Sequence, residues 1–379
     1  MKFKASSTVL LSHLQAISRV INSKNSLQIL DNFLLNLEGN LLTMTASDTE
    51  TTLITSMEVE EVEGAGKVAV SSRLLLDTLR EFSEQPLSFQ VNDSNLAMVI
   101  TSANGNYNFI GQNGDEYPRL PELQADAKHM SLPVSTLAAG ISKTLFCTAD
   151  DELRPVMNGI YFDIFKDGLT LVATDAHKLV RYKTNYTSVS LGEEEDKTSF
   201  ILPKKPANML KNILPKESGD VEIKFDSKNA YFKLSNYTMI CRQVEGRYPN
   251  YNGVIPKENP YKVIVDRASL LNALKRVSVF SNQASNLVKL HIADNKIAIS
   301  AQDIDFSISA EETINCQYAD DSIKIGFKSA FLIEILSNIG ASDVVLELTD
   351  PSRAGIILPF ENEENEDILM LLMPMLLND

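Results

Sequence analysis

A chain of 379 residues is too long for one ordinary core, and 44% hydrophobic with 22% charged residues is the balance of a soluble globular protein. Its formal charge of −15, taken whole, argues against a polyanionic partner, because phosphates are repelled by a uniformly acidic surface. Cys147, Cys241 and Cys316 are scattered, odd in number and in no metal-ligand spacing, so they are expected as buried thiols in a reducing compartment.

The start, Met1 to Ser7, leads into an amphipathic pattern rather than a continuous apolar run. Neither a signal peptide nor a membrane span is expected, and the cytoplasm is the default location. Leu10, Leu14, Ile17 and Ile21 then fall on one helix face. Two strands follow, Phe33–Leu37 and Leu42–Ala46, joined by a Gly39-Asn40 turn and closed by Ser47-Asp48. A further strand at Val68–Val70 runs into a helix carrying Leu75, Leu79 and Phe82, and Glu116-Tyr117-Pro118 ends the unit.

The same order then returns twice. The second copy has a weaker helix (Leu137, Ile141, Leu145), strands Gly159–Ile164 and Leu169–Ala173 around Asp167-Gly168, and Thr174-Asp175. Its later strand–helix junction is Ile201 to Lys205, and Arg247-Tyr248-Pro249 closes it. The third has Leu270, Leu274 and Val277, strands Leu287–Ile292 and Lys296–Ser300 around Asp294-Asn295, then Gln302-Asp303 and a junction at Ile323 to Phe327. It ends at Met373-Pro374-Met375. Asp48, Asp175 and Asp303 are 127 and 128 residues apart. One fold is written three times, each copy in two similar halves of strand, helix and antiparallel meander. The α+β domains are expected at 1–125, 126–256 and 257–379. The second copy carries a polar excess at residues 192–196, read as a surface insertion.

Charge is unevenly shared among these elements. The six helical segments (6–24, 71–82, 134–147, 203–216, 266–279 and 327–339) sum to +9, which leaves −24 on everything else. Lysine is a good helix former, but glutamate is equally good and nearly absent from these segments. The functional reading is a set of basic helices facing a polyanion, with acidic sheets discouraging binding elsewhere. The rival is an acidic three-repeat scaffold that binds linear peptides rather than a polyanion.

Other constellations are weaker. His177 has no serine or cysteine nucleophile motif beside it, so no enzyme activity is expected, and no Gly-x-x-x-x-Gly-Lys-Ser/Thr loop occurs. The repeated aspartates are expected to cap turns rather than bind metal, and no cofactor is expected. Glu361–Asp367 reads as a solvated acidic loop and Leu369–Leu377 as a last core strand whose methionines could also receive partner side chains.

The threefold repeat, Met1-Lys2-Phe3, Leu27 to Asn32, Val172 to Leu179, Gly246 to Tyr251 and Met373-Pro374-Met375 together resemble the bacterial DNA polymerase III beta subunits, the replication sliding clamps, over the whole chain. The resemblance implies three clamp-fold domains per chain and a head-to-tail homodimer closed into a ring, with helices lining a central hole and sheets outside. It implies a sequence-independent duplex DNA contact through Arg19, Lys24, Arg73, Lys143, Lys204, Lys205, Lys211, Lys275 and Arg276. It implies a dimer contact of Tyr107 and Phe109 with Val279 and Phe280. A pocket for short linear peptides of the polymerase, clamp loader and repair proteins is implied at Met157, Thr174, Ala176, His177, Lys178, Leu179, Pro249, Val254, Leu371, Met373, Pro374 and Met375. The family commonly has Gly-His-Arg where this chain has Ala176-His177-Lys178, and commonly ends soon after Met-Pro-Met-Arg, where this chain continues Leu376-Leu377-Asn378-Asp379.

Overall fold

Each expected strand–helix junction is present in the computed structural model, which describes residues 1–185, 188–190 (backbone only) and 196–377. Six α-helices occur among these residues: α1 Ser7–Ile17, α2 Ser72–Arg80, α3 Val134–Thr144, α4 Lys204–Ile213, α5 Arg267–Ser278 and α6 Ser329–Ser337. The side chains of Ser6, Ser71 and Asp266 accept hydrogen bonds from the amides of Val9, Leu74 and Ser269, satisfying donors that a helix start leaves orphaned. α1 is shorter than the 6–24 segment predicts. It passes into a 3₁₀ turn at Ser18–Val20, and Lys24 lies beyond it.

The chain forms two compact units. The first comprises Met1–Ser135 with Asn208–Gln243, the second Thr136–Ala207 with Val244–Asp379. In the first, α1 packs against α2. Its longest run of paired strands, antiparallel throughout, proceeds Gln112–Asn113, Gly66–Ser71, Asn32–Glu38, Leu41–Ser47, Thr51–Glu58, Tyr237–Arg242, Asn229–Lys233, Asp220–Phe225 and Lys128–Pro133. A five-stranded sheet ends at the edge strand Asn106–Ile110.

In the second unit α5 packs against α6. An eight-stranded sheet runs Lys197–Pro203, Gly159–Phe165, Gly168–Thr174, Lys178–Thr184, Glu366–Leu372, Gly355–Pro359, Asp343–Leu348 and Tyr261–Asp266. Glu366–Leu372, the last of these strands in sequence, is thus central in the sheet, held by seven register pairs from Lys178↔Leu372 to Thr184↔Glu366. A four-stranded sheet has Ile308–Asn315 at one edge and Ile323–Lys328 at the other.

The two-residue period sorts this unit's side chains. Ala173, Val180, Met370 and Leu372 join the helix-side core with Leu270, Leu274 and Ile335. Val172, Leu179, Leu369 and Leu371 join a separate cluster with Tyr248 and Tyr251. Cys147 and Cys241 are buried, whereas Cys316 is only half-buried. One expectation needs correction. Glu366 and Asp367 belong to that central strand, not to a solvated loop, and Glu366 is half-buried with Tyr182 donating to it at 2.7 Å. The insertion expected at 192–196 falls almost wholly outside the described residues, as do Asn378 and Asp379.

Candidate functional site

The repeated aspartates each close a turn with the same bonds. Asp48 Oδ1 accepts from the amides of Glu50 (3.0 Å) and Thr51 (2.7 Å). Asp175 Oδ1 accepts from His177 (2.9 Å) and Lys178 (2.8 Å). Asp303 Oδ1 accepts from Asp305 and Phe306. Short acidic side chains hold such turns because they bond their own backbone two and three residues on. Thr174 Oγ1 adds a bond to the Lys178 carbonyl and accepts from the Ala176 N–H, and Ala176 is held at φ +74°.

Beyond this turn the sheet face turned away from the helices carries an apolar floor. Leu179, Leu371, Val172, Ile201, Leu369 and Ile356 are buried there with Tyr248 and Tyr251. Tyr161 stacks on Tyr248 at 4.6 Å, and the Tyr251 hydroxyl donates to buried Asp163 at 2.9 Å. Burial, reinforced by that carboxylate, pushes the Tyr251 phenol up, so it stays a donor. Val156 and Ile255 pack on the same cluster and bring their neighbours Met157 and Val254 to its margin. Pro249 follows Tyr248. Around this floor Met373 is 43% exposed and Val254 59% exposed. The Met373 N–H donates to the His177 carbonyl at 2.9 Å, and the exposed His177 ring lies 5.8 Å from that of Phe331.

Two residues implied by the resemblance are placed elsewhere. Lys178 precedes Leu179 on a strand, so the two face opposite sides of the sheet. Its side chain is only 4% exposed and its ammonium lies 3.0 Å from Asp175 and 3.3 Å from Glu334 on α6. The rings of Phe146 and Phe331 flank it at 5.7 and 5.3 Å. Burial pulls the Lys178 pKa down, but the neighbouring negative charge outweighs it and the net shift is upward. The groups that raise it are the Cys147 sulfur, the Asp175 carboxylate that the ammonium bonds, and Glu334. Met375 is also drawn off the sheet: its amide donates to the Gly326 carbonyl at 2.8 Å. A Cβ on Gly326 would stand 2.9 Å from the Met375 carbonyl oxygen and 2.6 Å from Leu377 Cδ2, so only glycine lets the tail lie this close.

The basic residues divide into two groups. Lys143 is bound to Glu366, with Glu363 at 3.5 Å, Lys204 to Asp150, and Arg276 to Glu312. Arg73 faces Asp77 at 3.9 Å. The sum over helical segments missed these partners because every one but Asp77 lies outside those segments. Arg19, Lys24, Lys211 and Lys275 are exposed, and Lys205 is half-buried.

Of the four residues implied for a dimer contact, Tyr107, Val279 and Phe280 are exposed, whereas Phe109 turns inward and is buried. Tyr107 sits edge-on to Phe82 at 5.2 Å. The sequence reading missed Ile110 (88% exposed), beside the turned-in Phe109, and Ile304 and Phe306 (78% and 75%) in the Asp303 turn. The signal was present: where the third copy has Ile304 to Phe306, the first two have Thr49-Glu50 and Ala176-His177.

Residues 1–121, 131–250 and 252–376 match, in order, the N-terminal, central and C-terminal domains of the DNA polymerase III beta subunit family. The chain is 27% identical to the beta sliding clamp of Haemophilus influenzae over 379 residues, covering 99% of this chain and all of that protein. It is 26% identical to that of Vibrio cholerae over 99% of both chains. Among solved structures, the sliding clamp of Bartonella birtlesii superposes with a TM-score of 0.91 at 28% identity, and that of Pseudomonas aeruginosa shares the fold at 0.93 and 24%, each over the full length of both chains. Matched in its three domains from end to end, this chain belongs to the bacterial DNA polymerase III beta subunits, the beta sliding clamps.

Proposed function

We propose that the chain works as a head-to-tail dimeric ring that holds duplex DNA without reading its sequence, and that it tethers the replicative polymerase, the clamp loader and repair proteins through the Leu179–Leu371 recess. The exposed apolar walls over that buried floor are the observation that carries this reading, since a peptide anchor gains most where a preformed apolar seat is already desolvated. The P. aeruginosa and B. birtlesii clamps have been solved bound to griselimycin, so their folds hold a ligand. In this chain the contact set would be Met157, Thr174, Ala176, His177, Leu179, Pro249, Val254, Leu371, Met373 and Pro374, with Lys178 and Met375 positioning it from behind.

The three domains are taken as 1–125, 126–256 and 257–379. Ring closure would join the Asn106–Ile110 edge with the Ile308–Asn315 edge, two edge strands carrying Tyr107 and Ile110 on one side and Ile304, Phe306, Val279 and Phe280 near the other. DNA would meet Arg19, Lys24, Lys205, Lys211 and Lys275 directly. The chain acts by topology rather than by catalysis. After clamp loading, circular duplex DNA should retain the protein and the same DNA linearised should release it; equal retention on both forms would favour the peptide-binding scaffold instead.

A further inference from the structure

The backbone construction of the recess occurs a second time, in the first unit. Lys178 pairs with Leu372, and the next amide, that of Met373, donates to the His177 carbonyl at 2.9 Å. Correspondingly, Thr51 pairs with Cys241, and the next amide, that of Arg242, donates to the Glu50 carbonyl at 2.8 Å. Thr49 and Ala176 share a positive φ of 78° and 74°, each with its amide bonded to the hydroxyl two residues before it, on Ser47 or Thr174. Tyr117-Pro118 and Tyr248-Pro249 are tyrosine–proline pairs with a buried tyrosine, one in each unit. The repeat therefore puts Arg242 where the recess has Met373, Glu50 where it has His177, and Arg119 where it has Asn250.

A groove of about 320 Å³ opens at this position, lined by Thr52, Ile240, Arg119, Arg242, Lys228 and Glu50 among others. Thr55 Oγ1 lies 2.7 Å from His13 of α1, so Thr52, an odd number of positions away, faces the other side of the sheet, away from the helices. The lining thus holds three cations and one carboxylate, with Asp226 beside Lys228, on a chain of net charge −15.

We propose that this groove is a second docking site, for an extended acidic segment of a partner protein. Partner carboxylates would pair with Arg119, Arg242 and Lys228, while a small apolar side chain rests over Ile240. Charge complementarity selects the occupant. The choice of a peptide over nucleic acid rests on the reading of the Leu179–Leu371 surface as a peptide site, since the same turn and strand pairing frame both places. It also rests on the groove's position on the sheet face opposite the helices that carry the basic residues.

The test is fluorescence anisotropy of the full-length chain with a short labelled peptide of alternating aspartate and leucine residues. Saturable binding that Arg119→Glu with Arg242→Glu weakens about tenfold or more, and that Met373→Ala leaves unchanged, is the expected result. Arg119→Gln with Arg242→Gln gives the same direction with less charge perturbation, should the reversed variant lose its fold. Absence of saturable binding to the unaltered chain overturns the proposal. So does affinity unmoved by both double variants, or displacement by a short DNA duplex at lower concentration than by unlabelled peptide. A hydrophobic clamp-binding peptide is titrated in parallel. If it fails to bind while the acidic peptide still depends on Arg119 and Arg242, the recess reading falls and the groove stands.

Discussion

Replacing Lys178 with methionine keeps the aliphatic stem and removes the charge that joins the Asp175 turn to α6. What remains is two carboxylates at 3.0 and 3.3 Å from the vacated position and the Phe146 carbonyl that accepted a bond of 3.3 Å. Breaking a buried pair from one side typically costs roughly 3–5 kcal/mol, because a charge is stranded. Here Glu334 is 41% exposed and can turn to water, and Asp175 keeps its two amide bonds. The loss should therefore be about 2–3 kcal/mol, read as a fall of roughly 5–10 °C in the melting temperature of the second unit by calorimetry. The pH dependence has a defined sign. The folded pKa of Lys178 is raised above the ordinary 10.5, so its stabilisation is fully present below 10.5 and is lost as pH climbs through the folded value. The gap between the parent chain and Lys178→Met should thus be constant near neutrality and close in strong alkali. Equal melting temperatures at neutral pH, or a gap that widens with alkali, would refute the reasoning.

Ala176→Gly should stabilise the chain by about 1 kcal/mol, since an alanine at φ +74° bears a penalty that glycine does not; a lower melting temperature would mean the side chain contributes packing that outweighs it. Met373→Ala should weaken a clamp-binding peptide by about 2 kcal/mol, roughly thirty-fold in Kd, in a protein that still sediments as the parent does. Phe280→Asp should shift the sedimenting species from dimer to monomer, and an unchanged mass would remove that edge from the assembly. Neutralising Lys24, Lys211 and Lys275 together should flatten the log–log salt dependence of DNA association by about 0.9 for each phosphate no longer neutralised, whereas neutralising Lys143, already engaged by Glu366, should change it less.

The strands, their turns and the capping aspartates are plain in the sequence, because period-two hydrophobicity and short acidic side chains at turns are local properties. Leu42–Ala46 and Leu169–Ala173 are strands to within a residue or two at each end. Facing is legible too: Lys178 and Leu179 are adjacent on a strand and cannot share one surface, which follows from the alternation alone. Partners are not legible. That Glu312 meets Arg276, or Glu366 meets Lys143, depends on which strand lies beside which helix, and no periodicity in one segment states that. Phe109 and Ile110 show the same limit, since alternation says that one of two neighbours is buried but not which.

The central position of Glu366–Leu372 has a consequence for the order in which the molecule can be made. Until that strand is synthesised, Lys178–Thr184 lacks the neighbour on its outer side and presents unpaired backbone amides and carbonyls to water. The first unit has its own wait of about the same length, because Thr51–Glu58 is completed only by Tyr237–Arg242. A nascent chain therefore carries an open sheet edge through most of its translation, the state in which strands of two copies pair with each other instead. Stop codons or ribosome stalls just ahead of residue 366 should yield chains that aggregate or are degraded rather than chains with two good domains, and only the arrival of Glu366–Leu372 makes this protein safe to release.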